Sequence, residues 1–418
     1  MRVWLRTFGC RANQADSEAV RAMVVAGGGT LVDDAVDADV AVFNSCAVTA
    51  DAEADLRQAV RRAARTNPRL QSVVMGCAAA LDRGAIAALP SVGAVVGGTD
   101  LTGIALALGL PSSAAHVIAT VQTGARALLR IQDGCDEHCT FCATTIARGP
   151  HRSRPAGALV ADATMLAATH PEIVLTGVHI GSYGSECHSS LGALLERLVT
   201  EVPRVRFRLS SVEATEVDDR LRALLRDGGD RVAPYLHAPL QSGSDRVLRR
   251  MGRHWYAAAT YRDAVERVID GRAVFGLGAD LIAGFPGETD DDHAATLALI
   301  DRLPFTALHV FPYSVRPGTA AERLPGRVTP PVIAVRAAEL RDAGARKGAA
   351  YAATRDGSRA DVVITGTGGG RVGLTEDYLS VHVDDGTLPR RSRVRALLVA
   401  GPDGRLVART MSPTVSHD

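Results

Sequence analysis

The feature that most constrains this chain is an alternation: short β-branched runs separated by helix-length stretches recur from the first residues to about residue 350. Strands and helices taken in turn build βαβ units, and those units build parallel sheets. Within residues 1–110 the runs are RVWLRTFG, VAVFNSCAV and SVVMGCA, with helical stretches at 13–26 and 51–66, so a Rossmann-like parallel sheet is predicted. GLPSSAAHVIATVQTG lacks a helical period and reads as a connector. From 127 to 354, ALLRIQD, EIVLTG, VRFRLSS, YLHAPL, AVFGLGADLIAGF and ALHVFPYS each precede a helix or loop. They predict a full or partial (β/α) barrel, with chemistry at the carboxyl ends of its strands. Residues 355–418 change texture to short alternating runs between Gly, Asp and Pro turns, which predicts a small antiparallel β-barrel. The fold class is α/β with an all-β end.

Charge and cysteine usage narrow the function. The formal net charge of +1 argues against a uniformly basic, DNA-coating surface but leaves room for a local RNA patch. Lys347 is the sole lysine, an arginine bias that reflects genome composition more than function. The amino terminus lacks an apolar leader, and no run approaches the roughly 20 apolar residues of a membrane span. A cytoplasmic, monomeric protein without membrane association is expected. Seven cysteines, an odd number, point to reduced thiols in metal or catalytic roles.

Three of those thiols, Cys135, Cys139 and Cys142, crowd into GCDEHCTFC at the end of a predicted barrel strand. Three thiolates can each take one iron of a [4Fe-4S] cube, and the missing fourth leaves one iron open to a ligand. A zinc knuckle completed by His138 is the plain alternative, though His138 adjoins Cys139 and strains a tetrahedral arrangement. Cys10, Cys46 and Cys77 each close a predicted parallel strand, and carboxyl ends of such strands share one edge. They converge there or are three packing cysteines. Cys187 fits neither trio and reads as a loop thiol.

The C-x₃-C-x-aromatic-C spacing resembles the radical S-adenosylmethionine (SAM) enzymes. The resemblance covers essentially the whole chain: TFGCRANQADSE, FNSCAVT, MGCA, GCDEHCTFC, IARGPHRSRP, LTGVHIGSYG, RLSSVEA, LHAPLQSGSDRVLRRM, DLIAGFPGET and HVFPYSVRPGT follow in the order of a methylthiotransferase, with a final domain similar to the RNA-binding TRAM barrel. It implies two [4Fe-4S] clusters, an auxiliary one on Cys10, Cys46 and Cys77 and a SAM-binding one on Cys135, Cys139 and Cys142. It implies reductive cleavage of SAM to a radical that takes a hydrogen from the substrate, while the auxiliary cluster carries the sulfur. Phe141 would lie beside the adenine, and Thr176 and Gly177 would help seat SAM. FGCRAN is more similar to the branch acting on N6-threonylcarbamoyladenosine beside the tRNA anticodon, at position 37, than to the isopentenyladenosine or ribosomal-protein aspartate branches. GCAAA lacks the Tyr and Gln common after the third auxiliary cysteine, and CATTIARG lacks the usual Ile-Pro. Implied partners are the tRNA anticodon loop, an electron donor such as flavodoxin or ferredoxin, and a sulfur donor.

Other residues carry their own chemistry. Ser211 and Glu213 could bind ribose hydroxyls or an ammonium, or Glu213 could simply pair with Arg208. Gln241, in LQSGSD, is the preferred SAM contact, and Ser244 behind it is a natural helix cap. Arg148, Arg152 and Arg154 suit phosphates at the barrel mouth or form a solvated loop. Arg390, Arg391, Arg393 and Arg395 make a basic patch on the terminal barrel, and GTGGG reads as a turn. A non-catalytic iron-sulfur or zinc RNA-binding regulator is the competing class; LTGVHIG and LQSGSD argue against it, because a pure binder has no need of a SAM pocket.

Overall fold

The computed structural model describes residues 1–418 except 48, 49, 99, 118, 367–370, 403 and 412–418, with backbone alone at 50, 51 and 116. Arg2–Thr7 (β1), Thr30–Val32 (β2), Val40–Ser45 (β3), Gln71–Gly76 (β4) and Val92–Gly97 (β5) form a parallel sheet in the order β2-β1-β3-β4-β5. Successive side chains on a strand point to opposite faces, and the sheet is accordingly covered on both. Phe43 and Val74 meet Leu56 and Val60 of the helix Ala50–Thr66. Their neighbours Val42 and Val73 meet Val20 and Met23 of the helix Arg11–Ala26. Each such side chain contributes roughly 1.5–3 kcal/mol of apolar burial. The connector is packed more firmly than its composition suggests: a 3-10 turn at Ser112–His116 sets Ala114 and Ala115 into that second core.

The central part is a partial parallel barrel. Ala127–Arg130 (β6) is followed by a short antiparallel pair, Gln132–Asp133 (β7) with Arg152–Ser153 (β8). Glu172–Thr176 (β9) and Arg206–Leu209 (β10) join β6 in the order β10-β9-β6, and Tyr235–His237 (β11), Gly276–Ala283 (β12) and Ala307–Pro312 (β13) follow in order β11-β12-β13. Parallel bridges Phe207↔Val232 and Ser211↔His237 tie the two triplets together. Ser244 caps the helix Asp245–Arg250 by accepting from the Val247 amide, as its sequence position predicts.

The helix Pro330–Thr354, entered through prolines suited to a first turn, leads to the terminal barrel. Arg359–Ile364 (β14), Val372–Thr375 (β15), Ser380–Val383 (β16), Arg393–Ala400 (β17) and Leu406–Thr410 (β18) close in the order β14-β15-β16-β18-β17. The pairs are antiparallel except β16 with β18, which run parallel. The turn expected at GTGGG falls mainly on 367–370, outside the described residues.

This barrel plugs the amino ends of the central strands. Arg206 and Arg208, both fully buried on β10, share Glu172 of β9 at 2.6 and 2.7 Å. They also donate to the Asp361 and Thr375 carbonyls of the terminal barrel. Tyr378 stacks on Tyr235 with ring centroids 4.5 Å apart. No helix among the described residues is long and apolar enough to cross a membrane.

Candidate active site

Cys10, Cys46 and Cys77 stand just beyond β1, β3 and β4, at one edge of the first sheet. Two glycines allow that crowding. Gly9 has φ +92°, and a Cβ there would sit 2.5 Å from the Cys46 side chain; Gly76, at φ +95°, would press a Cβ onto Asn44 and the Ser45 carbonyl. Only glycine tolerates such φ without strain. Asn13 organises the trio: its Oδ1 accepts from Cys10 Sγ at 3.7 Å and from Cys77 Sγ at 3.9 Å, while its Nδ2 donates to the Ser45 carbonyl at 2.7 Å. The sequence reading missed Asn13.

The second trio is held by the loop after β7. Gly134, at φ +72°, could not carry a Cβ, which would fall 1.9 Å from the Pro150 carbonyl. The Cys142 amide donates to the Cys139 carbonyl at 3.1 Å, and the Thr144 amide to Cys142 Sγ at 3.4 Å. His179 Nδ1 lies 3.8 Å from Cys135 Sγ, and its Nε2 pairs with Glu216. Arg253 donates to Cys139 Sγ at 3.5 Å and also holds Glu213. Burial pushes the Cys139 thiol up to about 12 against Arg253, and the Cys77 thiol up to about 11 against Arg148. Loading metal therefore means displacing protons.

The thiols fit a cluster better than a single ion. Among the described residues the one group of three His, Cys, Asp or Glu side chains whose ligand atoms all lie within 4.8 Å of one another is His237, Asp280 and His309. Neither cysteine trio is that tight, whereas a tetrahedral zinc at about 2.3 Å from each sulfur requires it. His138 is exposed.

Arg148 joins the two trios. It ends the helix Thr144–Arg148, which starts two residues beyond Cys142, yet its side chain is only 1% exposed. Its Nε donates to Cys77 Sγ at 3.3 Å; its terminal nitrogens reach Asp16 at 2.7 Å, Asn13 at 3.0 Å and Asp133 at 3.0 Å. Burial works against the charge on Arg148, but Asp16, Cys77 and Asp133 hold it protonated. The expectation that Arg148 meets RNA phosphate is thus corrected: a guanidinium saturated by buried partners has no donor facing solvent. Arg152 keeps a side chain 54% exposed, and Arg154 pairs with Asp162.

Of the expected SAM contacts, Glu213 reaches the second trio through Arg253, which donates to Cys139 Sγ, and Phe141 lies within the trio's own loop. Gly177 lacks room for a Cβ, which would lie 2.7 Å from the Gln132 carbonyl, and Gln132 Oε1 accepts from the Val178 and His179 amides. Two expected contacts, Thr176 and Glu213, are buried and each has an oxygen, Oγ1 and Oε2, with no hydrogen-bond partner among the described residues. Such orphans cost free energy unless a ligand satisfies them. Glu213 pairs with Arg253 and not with Arg208, which belongs to Glu172. Ser211 backs onto His237 through a parallel bridge. Gln241 sits at φ +65°, a sparsely populated backbone region for a side-chain-bearing residue. Phe141 packs edge-on to Phe285 at 6.4 Å.

The arginines of the terminal barrel divide. Arg391 donates to the Gln122 and Gly124 carbonyls, and Arg393, held by Asp361, donates to the Asp230 carbonyl, so these two dock the barrel, which corrects the expected four-arginine RNA patch. Arg390 and Arg395 remain exposed.

Residues 2–97 match the family described as Uncharacterized protein family UPF0004, and residues 129–300 match the Radical SAM superfamily. The chain is 33% identical to threonylcarbamoyladenosine tRNA methylthiotransferase MtaB of Rickettsia prowazekii (strain Madrid E) over 90% of each chain. It is 34% identical to tRNA-2-methylthio-N(6)-dimethylallyladenosine synthase of Parafrankia sp. (strain EAN1pec), covering 95% of this chain and 83% of that one. Its fold is similar to the radical SAM methyltransferase TsrM of Kitasatospora setae, with TM-score 0.56 at 14% identity over 77% of each chain. The chain belongs to the radical SAM tRNA methylthiotransferases, transferases that use S-adenosylmethionine and carry two [4Fe-4S] clusters.

Proposed function

We propose that Cys10, Cys46 and Cys77 hold one cluster and Cys135, Cys139 and Cys142 the other, and that the enzyme adds a methylthio group to C2 of N6-threonylcarbamoyladenosine at tRNA position 37. The carrying observation is Arg148, whose helix follows one trio and whose guanidinium contacts the other. A shared mouth lets two centres act on one bound base. When bound, the clusters and SAM supply the electron, the hydrogen-abstracting radical and the sulfur for a C–H bond too weakly acidic for any side-chain base.

The chain's own residues place these groups. Asn13 and Arg148 orient the first trio, while Arg253 and His179 orient the second. Thr176, Gly177, Ser211, Glu213 and Gln241 line the SAM pocket, with Phe141 against the adenine. Arg152, Arg154, Arg390 and Arg395 meet tRNA phosphates. The division of labour follows residues 1–110, 127–354 and 355–418, and a flavodoxin or ferredoxin and a separate sulfur donor serve the reaction. The threonylcarbamoyl substrate is supported by relatives named for it, including one matched over 90% of both chains. Dimethylallyladenosine is the second reading, supported by the Parafrankia relative.

Mass spectrometry of tRNA nucleosides from cells with and without the gene tests this. Loss of methylthio-threonylcarbamoyladenosine is expected. Loss of a methylthio-dimethylallyl nucleoside, or unchanged tRNA, contradicts the substrate reading.

A further inference from the structure

A cavity of about 300 Å³ opens where the helix Arg11–Ala26, the connector and both barrels meet. Arg11, Arg21, Arg126 and Arg390 line it, with Glu18 the one carboxylate among its lining residues. Glu18 is engaged by the Thr123 amide and hydroxyl. Among the described residues neither Arg11 nor Arg21 forms an ion pair. The wall behind the cavity is also short of negative charge. Arg126, Arg206 and Arg208 share Glu172, with Asp361 a second carboxylate for Arg206 at 3.1 Å, and Arg206 Nη2 and Arg208 Nη1 are buried without a hydrogen-bond partner among the described residues.

Tyr378 gathers this surplus. The guanidinium carbons of Arg11, Arg126 and Arg208 lie 5.4, 5.5 and 5.1 Å from its ring, and Arg11 donates to its hydroxyl. Burial would push this phenol up, yet the arginines draw it below its ordinary value. The hub connects to the chemistry at both ends. Arg11 directly follows Cys10; Tyr235, stacked on Tyr378, meets His237 at 3.2 Å, and His237 backs onto Ser211.

We propose, resting on the substrate reading above, that this arginine-rich chamber beside Cys10 receives the carboxylate of the threonylcarbamoyl chain and that Arg11 is the residue that reads it. In adenine, C2 and C6 flank the same ring nitrogen, so an N6 substituent extends beside the carbon that accepts the methylthio group. A thiol trio at Cys10 that delivers sulfur to C2 thus places that substituent near residue 11. A planar guanidinium matches a carboxylate fork-to-fork, and a surplus of buried positive charge is stabilised by an incoming anion. An apolar dimethylallyl group offers none of this. The same donors could instead take a backbone phosphodiester, which a test must separate.

The test is fluorescence anisotropy with the full-length, cluster-loaded enzyme and anticodon stem-loops bearing at position 37 threonylcarbamoyladenosine, its neutral methyl ester, or plain adenosine. Wild type binds the carboxylate loop roughly tenfold more tightly than the ester or plain loop, the scale of one charge-assisted hydrogen bond. In Arg11→Gln the carboxylate loop falls to the level of the other two. Equal weakening of all three loops by Arg11→Gln assigns the arginine to phosphate and overturns the proposal. So does a wild type that binds acid and ester equally, an arm that needs no variant to fold. A wild type that favours the threonylcarbamoyl loop over plain adenosine while Arg11→Gln keeps its preference sinks the role of Arg11 alone. A wild type that favours a dimethylallyl loop sinks the substrate reading with it.

Discussion

Arg148 shows how much one side chain can bear. Its guanidinium touches Asp16, Asn13 and Cys77 of the first sheet domain and Asp133 of the barrel. Removing it leaves Asp16 with Arg130 alone, at 2.6 Å, and takes a charge from a buried ion network, a loss that costs up to about 3–5 kcal/mol. Arg148→Met is therefore expected to lose that much stability in urea titrations, whereas Arg152→Met, four residues away with its side chain 54% exposed, stays within about 0.5 kcal/mol. Sequence alone could not separate these two arginines, since both lie in IARGPHRSRP and both look suited to phosphate. What separates them is tertiary: Arg148 ends a helix turned inward, and Arg152 leaves on a two-residue edge strand. The strand-end positions of Cys10, Cys46 and Cys77, by contrast, were legible, because spacing along the chain maps directly onto strand ends in a parallel sheet.

At the scale of elements, β9 and β10 carry an electrostatic load that a hydrophobic pattern does not reveal. Burial alone would raise the Glu172 carboxyl, but Arg208 and Arg206 together hold it well below the ordinary carboxylate value of 4.5. A carboxylate depressed in the folded state contributes stability that is present above its unfolded pKa and is lost as pH falls through the folded one. Stability is thus expected to decline below about pH 4.5, and Glu172→Gln to flatten that slope while costing about 3–5 kcal/mol at neutral pH; urea midpoints across pH 3–7 check both. A slope unchanged by the substitution would place the acid sensitivity elsewhere. Strands and caps read well from sequence where a local rule decides them, as at Ser244, whose hydroxyl accepts from the Val247 amide. The connector and the docking arginine Arg391 did not, because Ala114, Ala115 and Arg391 take their roles from surfaces far away in the chain.

The whole molecule sets three parts around one polar centre: a sheet domain bringing one thiol trio, a partial barrel bringing the other, and a small barrel closing the base. The clearest test of that arrangement is iron and sulfide analysis of anaerobically reconstituted protein, compared with a variant in which Cys10, Cys46 and Cys77 are alanine. The account predicts about eight irons per chain, falling to about four in the variant while the remaining cluster still binds SAM. A variant that keeps all of its iron would contradict it.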